Sequence, residues 1–191
     1  MSLDAGQLMS LEAYARERSG LRPGEIAHRR LRSVSLGEHL RLQFEDERTV
    51  RYQLQEMLRA ERLFEPEDIR REIEAYALLL PDGRSWRATL LIEYVDPAER
   101  RMALQHLVGI EARLHVDIAG EQRVYAVPAD GCAAAASGRT SAVHFLAFRF
   151  TAAQCGALKA GAACVLGCDH PFHVAQAVLT GPTLDSLRAD L

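Results

Sequence analysis

The sequence predicts a single α+β domain: helices packed on a mixed or antiparallel sheet, preceded by an N-terminal helical arm. Three observations carry the prediction. Segments with the two-residue period of half-buried strands are interspersed with segments of helical period, without the strict alternation of a parallel α/β fold. The 191 residues, 48% hydrophobic and 26% charged, are enough for one good core. No repeat, linker or low-complexity stretch divides the chain, so residues 33–191 are expected to form one unit behind an arm of residues 1–32.

In the arm, Ser10 is a candidate N-cap, Gly20 lies beyond a last turn, and Pro23 restarts a helix. "HLRLQFED" alternates, with Leu40, Leu42 and Phe44 on one side, as a half-buried strand does. The next helix carries Val50, Leu54, Met57, Leu58 and Glu61 on a stripe that ends in a carboxylate. A further helix starts at Pro66, sets Ile69, Ile73, Tyr76, Ala77 and Leu80 inward, and stops at "PDG". "SWRATLLIEYV" is apolar on both faces, which places it inside a sheet.

Asp96 as N-cap, Pro97 at the first helical position, Glu99 two residues on and Gly109 past the end spell out another helix. "ARLHVDI" and "QRVYAVP" form a hairpin, and "DGCAAAASGR" is a small-residue loop. "TSAVHFLAFRF" is a strand, and a capping box of Thr151 and Gln154 opens a short helix closed by Gly161. Two last strands, "AACVLGCDHP" and "FHVAQAVLTG", precede a terminal helix in "TLDSLRADL".

Charge and cysteine usage narrow the function classes. A net charge of -3 gives no overall field that would draw the protein to nucleic acid or an anionic membrane. Lys159 is the sole lysine, a compositional bias with no structural cause. The N-terminus lacks a secretory pattern and no apolar run reaches membrane-spanning length. Four cysteines, at 132, 155, 164 and 168, crowd the last third and are expected to be reduced thiols. A cytoplasmic location follows as the expectation.

Four polar groups on the helix after the first strand, Tyr52, Gln55, Glu56 and Arg59, fall at i, i+3, i+4 and i+7 and share a face. That face adjoins the apolar stripe, so its groups are partly desolvated and must be paired. A network that fixes the helix and a ligand site both meet this requirement. His144 shares a strand face with Leu146, Phe148 and Phe150, where it must find a partner. "CVLGCDHPFH" has the composition of a metal site, but Cys164 and Cys168 on one strand face stand too far apart to share one zinc. His170 remains a candidate with groups from elsewhere. Glu25 and His28 form one Glu-x-x-His without the second copy that a di-iron site requires. The run "HRRLR" has the charge to meet phosphate or an acidic partner, but flanking Glu25 and Glu38 dilute it, and it reads first as a solvated face. There is no Gly-rich phosphate loop, no nucleophile elbow and no Cys-x-x-Cys.

Five stretches, "FEDERTVRYQLQEMLRAERLFE", "IEAYALLLPDGRSWRATLLIEY", "LVGIEARLHV", "TSAVHFLAFRF" and "LGCDHPFH", resemble a bacterial family catalogued as domain of unknown function 3501. The resemblance spans roughly residues 25–175. It implies a setting beside rubrerythrin-like and iron-sulfur proteins, and a pattern falling on Arg51, Tyr52, Gln53, Gln55, Glu56, Met57, Arg59, His144, Asp169 and His170. Cys168 and His173 depart from that pattern, which has an apolar residue and a Tyr there. Two functional expectations follow. One is an accessory protein of an iron- or peroxide-handling redox module that binds a protein partner or small ligand through Arg51, Tyr52, Gln55, Glu56 and Arg59, with His144 and His170. The alternative is a metal protein or enzyme in which Glu56, His144 and His170 hold iron or zinc.

Overall fold

A computed structural model describes residues 3–129 and 138–191. The described elements run α1 (Leu11–Leu31), β1 (Ser33–Leu36), β2 (Leu40–Glu45), α2 (Glu47–Glu61), α3 (Pro66–Ala77), β3 (Ser85–Ile92), α4 (Pro97–His106), β4 (Leu114–Ile118), β5 (Val124–Tyr125), β6 (Val127–Pro128), β7 (Val143–Arg149), α5 (Ala152–Lys159), β8 (Cys164–His170), β9 (His173–Leu179) and α6 (Gly181–Arg188). The strands make two sheets, one in the order β1-β2-β3-β7-β6 and one in the order β5-β4-β8-β9, antiparallel throughout. The α+β expectation holds, with two antiparallel sheets in place of one.

Alternation explains the main core. Leu40, Leu42 and Phe44 of β2, Trp86, Ala88 and Leu90 of β3, and Leu146 and Phe148 of β7 point to one side and are buried. They meet Leu114, Val116 and Ile118 of β4 and Cys164, Leu166 and Cys168 of β8 in a single cluster. Helices α4, α5 and α6 add Leu104, Leu158, Leu184 and Leu187 to it. The expected second hairpin is divided: β5 pairs with β4, while β6, one residue later, pairs with β7 in the other sheet. At another edge, His173 Nε2 donates to the Leu36 carbonyl at 2.8 Å, tying β9 to β1.

Helices α2 and α3 carry a second core. Val50, Leu54 and Leu58 are fully buried, at i, i+4 and i+8 of α2, against Leu79 and Leu80, with Ile69, Ile73 and Phe145 partly buried beside them. Met57 lies half-buried at the side of this stripe and Glu61 is exposed, as is Ala77 of α3, so the apolar faces are narrower than the periodicity suggested. A polar clip fastens α2 to the five-stranded sheet. The carboxylate of Glu45, 1% exposed, accepts from Thr49 Oγ1 at 2.6 Å, Gln53 Nε2 at 2.7 Å and Thr89 Oγ1 at 2.7 Å. Three donors offset the desolvation that would otherwise make such a carboxylate costly.

Two sequence expectations are corrected. Helix α1 runs unbroken through Gly20 and Pro23. Both residues are exposed, and the helix is fastened to α2 at several points along its length, which outweighs the hydrogen bond that proline removes. Strand β1 has no counterpart in the sequence reading. Its four residues, "SVSL", take their register from β2. Residues 130–137, most of the small-residue loop and including Cys132, lie outside the described residues.

Candidate functional site

The polar face of α2 meets α1. Asp46 caps α2, accepting from the Thr49 amide at 2.8 Å while Thr49 Oγ1 accepts from the Asp46 amide at 2.9 Å. With the helix thus started, Gln55 and Glu56 project towards the N-terminal segment. Gln55, 4% exposed, treats the Met9 backbone as a strand neighbour would: its Oε1 accepts from the Met9 amide at 2.9 Å and its Nε2 donates to the Met9 carbonyl at 3.0 Å. Glu56 accepts from Tyr14 Oη at 2.6 Å and from Arg18 through two bonds, Nε at 2.6 Å and Nη2 at 2.8 Å, with Arg59 Nη2 at 3.6 Å. The two-pronged guanidinium contact is the main cause that holds the Glu56 carboxyl down at about 2, with the Tyr14 bond assisting and burial opposing. Burial and the same carboxylate push the Tyr14 hydroxyl up.

The sign of this linkage gives a stability prediction. A carboxyl depressed in the fold contributes stability above its unfolded value of about 4.3. The contribution is lost as pH falls through that value towards about 2. We expect Glu56→Gln to cost ~1–2 kcal/mol at pH 7, a figure reduced for the solvent that reaches this pair. The difference from wild type should shrink steadily between pH 5 and pH 3 in urea titrations. A difference independent of pH would show that the charge contributes nothing.

Around this knot lie two hollows with Tyr52 as a shared wall. One, of about 220 Å³, is lined by Tyr14, Glu25, Arg48, Arg51, Tyr52 and Gln55. The other, of about 510 Å³, is lined by Arg18, Arg22, Arg29, Arg59, Tyr52 and Tyr76, with Glu56 and Glu61. In the larger one four guanidinium groups face two carboxylates. Arg18 and Arg59 are engaged by Glu56, whereas Arg22 and Arg29 have no carboxylate within 4.0 Å among the described residues. Arg51 makes only a long contact, 3.9 Å, to Glu47. The lone Glu-x-x-His also acquires a role: Glu25 accepts from Arg48 at 3.1 Å and His28 Nε2 lies 2.6 Å from Asp46 Oδ2, both ties from α1 to the start of α2.

The two histidine candidates are held by other partners. His144 Nε2 lies 2.9 Å from both the Ser141 carbonyl and Thr140 Oγ1. A carbonyl only accepts, so Nε2 carries the proton. His170, 5% exposed, donates from Nε2 to the Val108 carbonyl at 3.2 Å and accepts at Nδ1 from the Phe172 amide at 3.3 Å. Both of its nitrogens are committed, and the ring pins the β8–β9 turn. Glu56, His144 and His170 therefore sit in three separate hydrogen-bond sets. Among the described residues no group of three or more His, Cys, Asp or Glu side chains is arranged to hold a metal ion. Burial pushes the Cys164 thiol up to about 12 and raises Cys168, opposite to the shift that an activated thiolate needs.

Asp169 belongs to a different cluster, on the outward face of the four-stranded sheet. It accepts from Tyr125 Oη at 2.6 Å, and Arg123 bridges it, at 3.4 Å, to Asp117, which it grips at 2.7 and 2.9 Å. The Tyr125 bond is the main cause that lowers the Asp169 carboxyl. Beneath them the His115 ring lies against Gly167, where a Cβ would stand 2.3 Å from Nε2, so only glycine fits that strand position. The sequence reading missed this cluster, whose members come from three strands. It also missed Arg18, Arg22 and Arg29, although their i, i+4 and i+11 spacing marks one face of α1.

No helix among the described residues is long and apolar enough to cross a membrane. No curated protein matches the chain. Among solved structures it is similar to one described as a novel protein of unknown function from Burkholderia pseudomallei. The two are 44% identical with a TM-score of 0.94, and the match covers 100% of each chain. The family described as protein of unknown function (DUF3501) matches residues 2–191, and the chain belongs to it.

Proposed function

We propose that the protein is a non-catalytic accessory protein of an iron- or peroxide-handling redox module, and that it engages a protein partner or small ligand through the arginine-lined groove between α1 and α2. The observation that carries the binding reading is the charge imbalance of that groove: Arg22 and Arg29 face a hollow of about 510 Å³ with no carboxylate within 4.0 Å among the described residues. A guanidinium fork matches a carboxylate or phosphate. Tyr52 and Arg59 complete the wall, while Glu56 holds α1 in place, through Tyr14 and Arg18, so that the groove exists. The redox setting is supported by the family resemblance and its association with rubrerythrin-like and iron-sulfur proteins.

The experiment is co-purification of a tagged chain with a rubrerythrin-like or iron-sulfur partner, comparing wild type with Arg22→Glu and Arg59→Glu. Arg22 is exposed and makes no side-chain hydrogen bond or ion pair among the described residues, so its reversal is expected to leave the fold intact. Recovery of the partner is expected to fall at least tenfold for Arg22→Glu. Equal recovery from wild type and Arg22→Glu would remove the groove as the contact.

A further inference from the structure

Next to the groove, with Arg29 as a shared wall, lies another hollow, of about 250 Å³, lined by Arg29, Arg30, Arg41, Ile26, Gln43 and Leu91. Its lining contains no carboxylate. Arg41 pairs with Glu93 nearby, while Arg29 and Arg30 have no carboxylate within 4.0 Å among the described residues. Arg29 lines both hollows, so the C-terminal half of α1 is a cationic ridge that joins them. Resting on the reading of the groove given above, we infer that the occupant is an acidic polypeptide segment that runs along α1 past Arg29 and fills both hollows.

Dimensions and chemistry favour this occupant. Arg22 and Arg30 are eight residues apart on a helix rising 1.5 Å per residue, about 12 Å along the axis. An extended chain advances about 3.3 Å per residue and turns alternate side chains to one side, so about five residues with carboxylates at every second position span the ridge. Ile26 and Leu91 line this hollow together with the guanidinium groups and offer contact to the methylene groups of a glutamate side chain, which a phosphate backbone lacks. The net charge of -3 supplies no broad field for a nucleic acid, while a local ridge suits a local acidic stretch.

The test is fluorescence anisotropy with a labelled Glu-Leu-Glu-Leu-Glu-Leu-Glu peptide at low ionic strength. Saturable binding is expected, weakening as salt rises because the contacts are solvent-exposed ion pairs. Arg29→Glu should abolish it, and Arg22→Glu and Arg30→Glu should each weaken it about tenfold, whereas Arg101→Glu, exposed on α4, should bind as wild type does. Thermal melting of each variant confirms folding. Loss with Arg22→Glu but wild-type binding with Arg30→Glu would overturn the extension beyond Arg29 while leaving the groove as a site. Indifference to both would overturn the groove as well. An equal loss with Arg101→Glu, or tighter binding of a short single-stranded DNA or of inorganic phosphate than of the peptide, would overturn the polypeptide occupant.

Discussion

Arg32→Met is expected to cost ~3–5 kcal/mol of unfolding free energy, the range found when one partner of a buried charged network is removed. Arg32 is 1% exposed at the C-terminus of α1, and its guanidinium joins three parts of the chain. Nε donates to the Phe44 carbonyl at 3.2 Å, Nη2 to the Glu45 carbonyl at 3.1 Å, and Nη1 to the Ser186 carbonyl and hydroxyl at 3.1 and 2.8 Å. It also pairs with Asp190 and lies 3.4 Å from Asp46. Methionine fills much of the volume but leaves the carbonyls and Asp190 without their donor.

The pH dependence of that variant distinguishes charge from packing. Burial raises the Asp190 carboxyl to about 6, outweighing the pull of Arg32. An acid raised in the fold favours folding in its protonated form, so its contribution is full below its unfolded value of about 3.9 and is lost as pH rises through the folded one. Without Arg32 that dependence should steepen. Arg32→Met is therefore expected to recover part of its loss at pH 5.5 relative to pH 7.5, and Asp190→Asn in the same background should remove the recovery. Chemical denaturation at the two pH values measures both; a cost below ~1 kcal/mol would mean that the network contributes no more than a surface pair.

What was legible in the sequence was what short-range chemistry fixes. The cap of α4 is local, with Asp96 Oδ1 accepting from the Ala98 and Glu99 amides at 2.8 Å, and so is the Thr151–Gln154 box of α5. Arg59, expected on the desolvated face of α2, is exposed, but that face was legible in Tyr52, Gln55 and Glu56, which border a buried stripe. Their partners were not: Tyr14 and Arg18 are separated from Glu56 by 42 and 38 residues, and nothing in a local window says which distant arginine arrives. The same reason hid β1, whose polar alternation acquires meaning only beside β2, and the transfer of "QRVYAVP" from one sheet to the other at Ala126. His170 shows the converse. Its neighbours in sequence suggested a ligand, but its partner is the Val108 carbonyl, 62 residues away, and that bond leaves it a fastener of the turn.

Leu54→Ala is expected to cost ~2–5 kcal/mol, the sum of lost transfer energy and the cavity left behind. Leu54 is 0% exposed and central in the helical core, between Val50 and Leu58 on α2 and near Leu79 and Leu80. This core is separate from the one between the sheets. Met57→Ala, at a half-buried flank of the same helix, should cost ~1 kcal/mol or less and serves as the comparison. Because α1 is tied to α2 by polar contacts such as Tyr14 and Arg18 to Glu56 and Arg48 to Glu25, loosening α2 also loosens the wall of the groove. Hydrogen exchange should therefore rise in α1, α2 and α3 of Leu54→Ala before it rises in β3 or β7. A uniform rise across helices and strands would show that the two cores unfold as one, and that the groove is as rigid as the sheet beneath it.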